Sequence, residues 1–522
     1  LFLFGAQPDA KDSTRTIASL NQGGLSLPDR DYYLKTDPKS VEIRQRYVAH
    51  VAASLMLAGE KAAPAGKHAT AILAFETELA RASLTRVEKR EPHNLDHKLD
   101  RKALAALTPS FAWDRYLAAA GVPTVDAVNV SEPKFYQALD VHLHALPLDT
   151  LRAYLRWHVV RSASPYLSKP FVDENFAFYR KYLRGTPVNR PRWKRCVGLV
   201  DRNLGEALGK VYVDRMFSPT MKARTLEMTR AIEREMEAHL KALPWMSAAT
   251  KQKALEKLHT VVNKVGYPER WRDYSTLAVE RGGFFGDVVR AVAFESRRQL
   301  AKIGKPLDRG EWGMTPPTVN AYYDPQMNDI NFPAGVLQPP LFDFKLDDAP
   351  NYGNTGATIG HELTHGFDDE GRKFDARGNL ADWWTPADAE EFGRRAQCVV
   401  DEYAQFKIVD DIKINSRLTL GEDVADLGGT QLAYDAWKRA NAGRTPPSGD
   451  GFSPDQRFFI GMAQWACDNE RDEDKRLNAT VNPHSPDEYR INGVVANMPT
   501  FAKAFACKAG QPMVRANVCR IW

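Results

Sequence analysis

Ala357-Thr358-Ile359-Gly360-His361-Glu362-Leu363-Thr364-His365 reads as a helix carrying two histidines four residues apart. Positions i and i+4 share one helical face, so both imidazoles can reach the same ion. Glu362 stands beside that pair, where its carboxylate can take a proton from an activated water. The competing reading is a surface helix with two histidines and a solvated glutamate. The apolar neighbours Ile359 and Leu363 argue against it.

Zinc in a hydrolase usually takes three protein ligands and keeps one position open. A third histidine does not follow: Gly366 is succeeded by Phe367 and Asp368. A carboxylate is the other option. Gly421-Glu422-Asp423-Val424-Ala425-Asp426 offers two of them four apart on a helix expected from about Gly421 to Ala440. One of Glu422 and Asp426 can ligate while the other accepts the free N–H of a ligating histidine. Read alone, that pair would be a wet acidic face, but Gly428 and Gly429 permit unusually close packing there. His484 and Arg490 lie further on; near a zinc site they could stabilise an oxyanion and hold a carbonyl. His93 and His97 are also four apart, but Pro92 precedes them and no base lies between. His142 and His144, two apart, diverge on a helix. Neither pair is expected to bind metal.

Around this centre the texture is mixed. Thr318–Tyr323 and Asp329–Phe332 read as short strands about a polar turn, and Pro333 marks the second as an edge strand. The Gly-rich stretch Asn351–Gly356 reads as a loop, with a helix beginning near Ala357 and weakening at Gly366. From about Asp37 to Val265 the pattern is helical nearly throughout. The expected division is a mostly helical domain over 1–270 and a mixed α+β catalytic domain over 271–522.

The chain of 522 residues is long enough for two cores. With 71 basic and 66 acidic residues the net charge is +5, too small and scattered to imply nucleic acid or an anionic membrane as partner. No run approaches the roughly 18 apolar residues of a membrane helix. The five cysteines, Cys196, Cys398, Cys467, Cys507 and Cys519, include no C-x-x-C pair, so a thiolate zinc site is disfavoured. Their clustering towards the end of the chain points to an oxidising compartment. The opening Leu1-Phe2-Leu3-Phe4 reads as a core strand of a chain whose earlier residues are not shown.

Several of these segments together resemble a family. Asn320-Ala321-Tyr322-Tyr323, His361 to Asp369, Gly421 to Gly429, Phe332 to Pro340, Asp382-Trp383-Trp384-Thr385 and Cys519-Arg520-Ile521-Trp522 are similar to the neprilysin and endothelin-converting-enzyme family, the M13 metallopeptidases. The resemblance implies a mainly α, two-domain fold, with a thermolysin-like zincin catalytic domain facing a large helical domain across an enclosed cavity. It implies one zinc held by His361, His365 and Glu422, with Glu362 as general base and Asp426 orienting His361. His484 would stabilise the transition state. Arg490, Asn320 and Ala321 would hold the peptide, and Val336, Leu341 and Trp465 would wall the S1′ site. It further implies a Cys398–Cys519 disulfide, and upstream partners for Cys196, Cys467 and Cys507. In this chain Asp423 stands where the family more often has Asn, a change that spares both functional carboxylates.

The implied activity is hydrolysis of small to medium peptides on the amino side of hydrophobic residues. The rivals are a catalytically silent peptide-binding protein of the same fold and a zinc amidase acting on cell-wall peptides. Intact Glu362 argues against the first. Ala- and Arg-rich usage points to a bacterial member, placed in the periplasm or secreted; the sequons at Asn129 and Asn478 then carry little meaning.

Overall fold

The computed structural model, which describes residues 1–444 and 446–522, divides the chain between two units, neither continuous in sequence. One comprises Leu1–Arg195, Ser275–Leu307 and Glu470–Val481; the other comprises Cys196–Tyr274, Asp308–Asn469 and Asn482–Trp522. Helix makes up 56% of the described residues, so the fold is mainly α, as expected. The single boundary expected near residue 270 differs from this division. Helices between 196 and 259 carry the same periodicity as those before them, but Ile232, Met236 and Leu258 enter the second unit's core. Periodicity identifies a helix without saying which core its apolar face joins.

In the first unit, β1 (Phe2–Pro8), β2 (Thr16–Gln22), β3 (Lys98–Asp100) and β4 (Ala127–Val130) form a sheet of order β1-β2-β4-β3. The last two interrupt the stretch expected to be helical. β1 is an edge strand rather than a core strand. Leu3 is 63% exposed, while Phe2 packs on Phe111, Trp113 and Tyr116, so only one face of the strand is covered. Helices α1 (Pro38–Leu57), α2 (Ala62–Ala82) and α3 (Leu148–Ala163) surround a buried carboxylate. Glu76 of α2 is fully buried and accepts from the hydroxyls of Ser26, Tyr33 and Tyr47, each at 2.7 Å. Trp157 of α3 donates its Nε1–H to the oxygens of Ser26 and Tyr47 at 3.0 Å. These hydrogen bonds offset the cost of burying the carboxyl group.

In the second unit α4 (Pro219–Ala242) and α5 (Ala248–His259) lead into β5 (Val262–Gly266), β6 (Tyr322–Asp324) and β7 (Asp329–Pro333). The sheet order is β5-β7-β6, with β5–β7 parallel and β6–β7 antiparallel. β7 is therefore central, not the edge that Pro333 suggested. Pro333 closes the strand opposite Gly266, and the ladder continues through Ala334, whose N–H donates to Gly266 at 2.8 Å. The edges are β5 and β6, and β6 is shorter than expected because Thr318–Ala321 have no ladder partner.

The stretch that carries His361, Glu362 and His365 lies on α6 (Ala357–His365). The Gly-rich stretch before it is not a loop. Asp348–Asn351 is helical, and Tyr352–Gly356 continues it as a wider i→i+5 turn, buried throughout. Gly353 serves close packing there: a Cβ would sit 1.9 Å from the carbonyl oxygen of Phe458 on α9 (Pro454–Trp465). Before α9 come α7 (Pro386–Tyr403) and α8 (Leu420–Ala440); α10 (Asp487–Ala496) follows it. A disulfide joins Cys398 of α7 to Cys519, as the resemblance implies. Helices α6 and α8 cross at backbone contact. A Cβ on Gly360 would lie 2.4 Å from the carbonyl oxygen of Gly429, and one on Gly429 would lie 2.2 Å from the His361 amide nitrogen.

Two outcomes follow from these contacts. Glu76→Ala strands three buried hydroxyls and is expected to cost about 3 kcal/mol or more, seen as a lowered unfolding temperature with zinc content unchanged in the folded fraction. Gly429→Ala forces α6 and α8 apart and is expected to lose zinc retention, measured by metal analysis after gel filtration, with helical circular dichroism largely kept.

Candidate metal centre

The crossing of α6 and α8 brings their polar residues to one point. His361 and His365, one turn apart on α6, present Nε2 atoms 2.9 Å from each other. Glu422, in the first turn of α8, places Oε2 3.3 Å from His361 Nε2 and 3.7 Å from His365 Nε2. That oxygen is buried, yet it has no hydrogen-bond partner of acceptable geometry. The carboxylate of Glu362 lies within 4.8 Å of both imidazoles.

The other ring nitrogens are committed. His361 Nδ1 faces Asp426 Oδ1 at 2.7 Å, and His365 Nδ1 faces Asp368 Oδ2 at 2.7 Å. A carboxylate on Nδ1 fixes the proton there and turns the Nε2 lone pair towards the centre. Asp426 serves a second partner as well: Arg490 of α10 donates Nε–H at 2.6 Å and Nη2–H at 2.8 Å. Burial opposes ionisation of Asp426, but Arg490 and His361 outweigh it and hold its pKa down to about 2. Burial raises the Glu362 carboxyl above the ordinary glutamate range, against the pull of both imidazoles. Burial also works against ionisation of Glu422, which the facing imidazoles reverse.

Two imidazole nitrogens at 2.9 Å and an unpartnered carboxylate oxygen are unfavourable as a hydrogen-bonded set, since each is an acceptor once Nδ1 holds the proton. They suit a cation that takes two nitrogens and one oxygen, the donor set of zinc rather than of magnesium or calcium. The residues present fit the ion.

All the residues singled out in the sequence line one cavity of about 530 Å³: His361, Glu362, His365, Glu422, Asp426 and His484, together with Arg490, Asn320, Ala321, Val336, Leu341 and Trp465. His484 Nε2 stands 3.2 Å from Glu422 Oε2. Trp465 covers the Arg490 guanidinium at 4.4 Å from ring centre to Cζ. Asn320 turns its side-chain oxygen onto the Ala321 amide at 2.9 Å, just ahead of edge strand β6. Val336, Leu341 and Trp465 border the cavity with Phe332 and Met462. Sequence reasoning gave Asp368 no role, although it falls three residues after His365. The signal was present in the spacing, but the helix ends between them, so a helical face could not be assumed. The decoys stay apart: Pro92–Leu95 is a 3-10 turn, and among the described residues one metal-type cluster occurs.

The two models describing peptidase family M13 match residues 1–268 and 320–521. The chain is 33% identical over 545 residues to an endothelin-converting enzyme homolog of Locusta migratoria, covering 100% of this chain and 74% of that protein. It is 32% identical over 530 residues to endothelin-converting enzyme 1 of Homo sapiens, covering 98% and 68%. The crystal structure of Mycobacterium tuberculosis zinc metalloprotease Zmp1 with an inhibitor superposes with a TM-score of 0.96 at 37% identity, covering 100% of this chain and 80% of that one. With both halves matched in order and the metal-type cluster falling inside the second, the chain belongs to peptidase family M13 and is a zinc metallopeptidase.

Proposed function

We propose that the protein is an endopeptidase for small to medium peptides, with one zinc held by His361 Nε2, His365 Nε2 and Glu422. The observation that carries this reading is the convergence of those three atoms, with Glu362 beside them in the same cavity. Bound zinc supplies a Lewis acid that polarises the scissile carbonyl and makes water nucleophilic at neutral pH.

The chain's own residues do the rest. Asn320 and the backbone of Ala321 hold the extended peptide along the segment that leads into β6, in the manner of β-augmentation. Arg490, held rigid by Asp426 and Trp465, binds a substrate carbonyl on the primed side. Glu362 removes a proton from the attacking water as its oxygen bonds to the carbonyl carbon. As the C–N bond breaks, Glu362 returns that proton to the leaving amine. His484 donates to the oxyanion that develops on the substrate carbonyl. Asp426 keeps the His361 proton on Nδ1 throughout.

The apolar wall of Val336, Leu341 and Trp465 takes the side chain that follows the cleaved bond, which sets a preference for hydrophobic residues there. The Cys398–Cys519 disulfide supports an oxidising, extracytoplasmic location. Among the described residues no helix is long and apolar enough to cross a membrane.

Glu362→Gln is expected to keep zinc and lower kcat by several orders of magnitude on a quenched peptide library. Removing the metal with a chelator abolishes cleavage, and zinc restores it. If the zinc-loaded wild type cleaves no peptide, the silent peptide-binding reading takes its place. Leu341→Ala is expected to lower kcat/KM about tenfold or more for substrates with Leu or Phe after the cleaved bond, while Ala there changes little.

A further inference from the structure

The turn that follows α6, residues 366–374, is wrapped around a buried cation. Lys257 of α5 is 1% exposed, and its Nζ donates to the carbonyl oxygens of Gly366, Gly371 and Phe374, each at 2.7 Å. Three convergent acceptors require three N–H bonds, which the ammonium form has and the neutral amine lacks. Burial pushes the pKa of Lys257 down to about 7, while Asp368 and Asp375 pull against that shift. The backbone of Lys257 is anchored too, since Asn328 donates to its carbonyl at 3.0 Å and accepts from the Tyr323 hydroxyl at 2.9 Å.

The same turn carries Asp368. Its Oδ1 accepts from the amides of Glu370 at 2.9 Å and Gly371 at 2.7 Å, which leaves Oδ2 aimed at His365 Nδ1. The turn folds back hard on the helix end, because a Cβ on Gly371 would lie 1.7 Å from the His365 carbonyl oxygen. Within the turn the amides of Arg372, Lys373 and Phe374 donate to the carbonyls of Asp368, Glu370 and Gly371 at 3.2, 3.0 and 3.0 Å. Gly366 and Gly371, which bracket Asp368, are joined to each other through the Lys257 ammonium. Lys257 does not border the catalytic cavity, so the chemistry derived above makes no use of it. A leucine or methionine would fill the space without the cost of burying a charge.

We propose that Lys257 is a positioning residue for the zinc centre, its ammonium holding turn 366–374 in the shape that seats Asp368 on His365. The proposal rests on the reading of His365 as a metal ligand. Carboxylates that orient a ligating histidine are typically worth 10- to 100-fold in metal affinity, and Lys257 reaches the metal through that carboxylate.

The test is the rate at which zinc passes from the holoenzyme to a chromogenic chelator, a readout independent of peptide hydrolysis. Lys257→Met is expected to release zinc roughly tenfold faster or more, and Asp368→Asn by a similar factor. The double variant is expected to be no faster than the faster single one, because both changes break one chain of contacts. Amide exchange at Glu370 and Gly371 should accelerate in Lys257→Met. Zinc release at the wild-type rate in that variant, or effects that multiply in the double variant, would overturn the proposal. If Lys257→Met yields no folded protein, Lys257→Arg decides: a planar fork cannot match three convergent carbonyls. Faster release with a melting temperature within a few degrees of wild type then supports the proposal, and unchanged release refutes it. His365→Ala separates the two levels. If it binds zinc like the wild type, the ligand assignment itself is wrong; if it loses zinc while the Lys257 variants release normally, only the Lys257 proposal fails.

Discussion

The contact between two backbones, Gly360 on α6 and Gly429 on α8, sets everything else in the second unit. Two helices that carry ordinary side chains at their crossing stand 8–10 Å apart. Removing the side chain on both partners lets the carbonyl of one approach the amide of the other. Glu422 and Asp426, a turn or two before that crossing, are thereby carried to the histidines without long side chains having to search for them. The loss of helix propensity, about 1 kcal/mol for each glycine, is offset by a site that needs no further ordering. Gly353 repeats the device one level back, seating the helical run that leads into α6 against α9. Packing and chemistry are here one constraint: what fixes the ligands is how closely the backbones approach.

Most of the centre could be read from spacing because its geometry is local. His361, Glu362 and His365 are placed by helical period alone, and Glu422 with Asp426 by the same period on a second helix. Their meeting in space could not be read that way. It came from the family resemblance and from the glycine pair, whose purpose is visible in sequence only as an oddity. Arg490 and His484 are separated from Glu422 by sixty residues and more, and no periodicity links them to it.

The misread parts share a physical cause. Gly-rich Asn351–Gly356 suggested a loop because glycine lowers helix propensity, but tertiary contact with α9 overrides that preference. Pro333 suggested an edge because proline breaks ladders, yet at a strand end the missing N–H falls where the next residue's amide takes over. The two compact units interleave along the chain for a broader reason. A helix advertises an apolar face, and the sequence does not say which of two cores receives it. Segments 275–307 and 470–481 therefore return to the first unit unannounced. Lys257 was invisible for the opposite reason: a lysine in a helical stretch reads as a solvated surface residue until its neighbours are known.

Asp426 has one oxygen on an imidazole and both on a guanidinium, so two functions share a single carboxylate. Whatever strengthens its hold on Arg490 withdraws electron density and freedom from the His361 contact, and the reverse is equally true. On the proposed reading, with Arg490 on the peptide and His361 on the metal, this carboxylate is the link through which one end can reach the other, and thermodynamic reciprocity makes any such coupling equal in both directions. Peptide and metal are on this account effectors of each other.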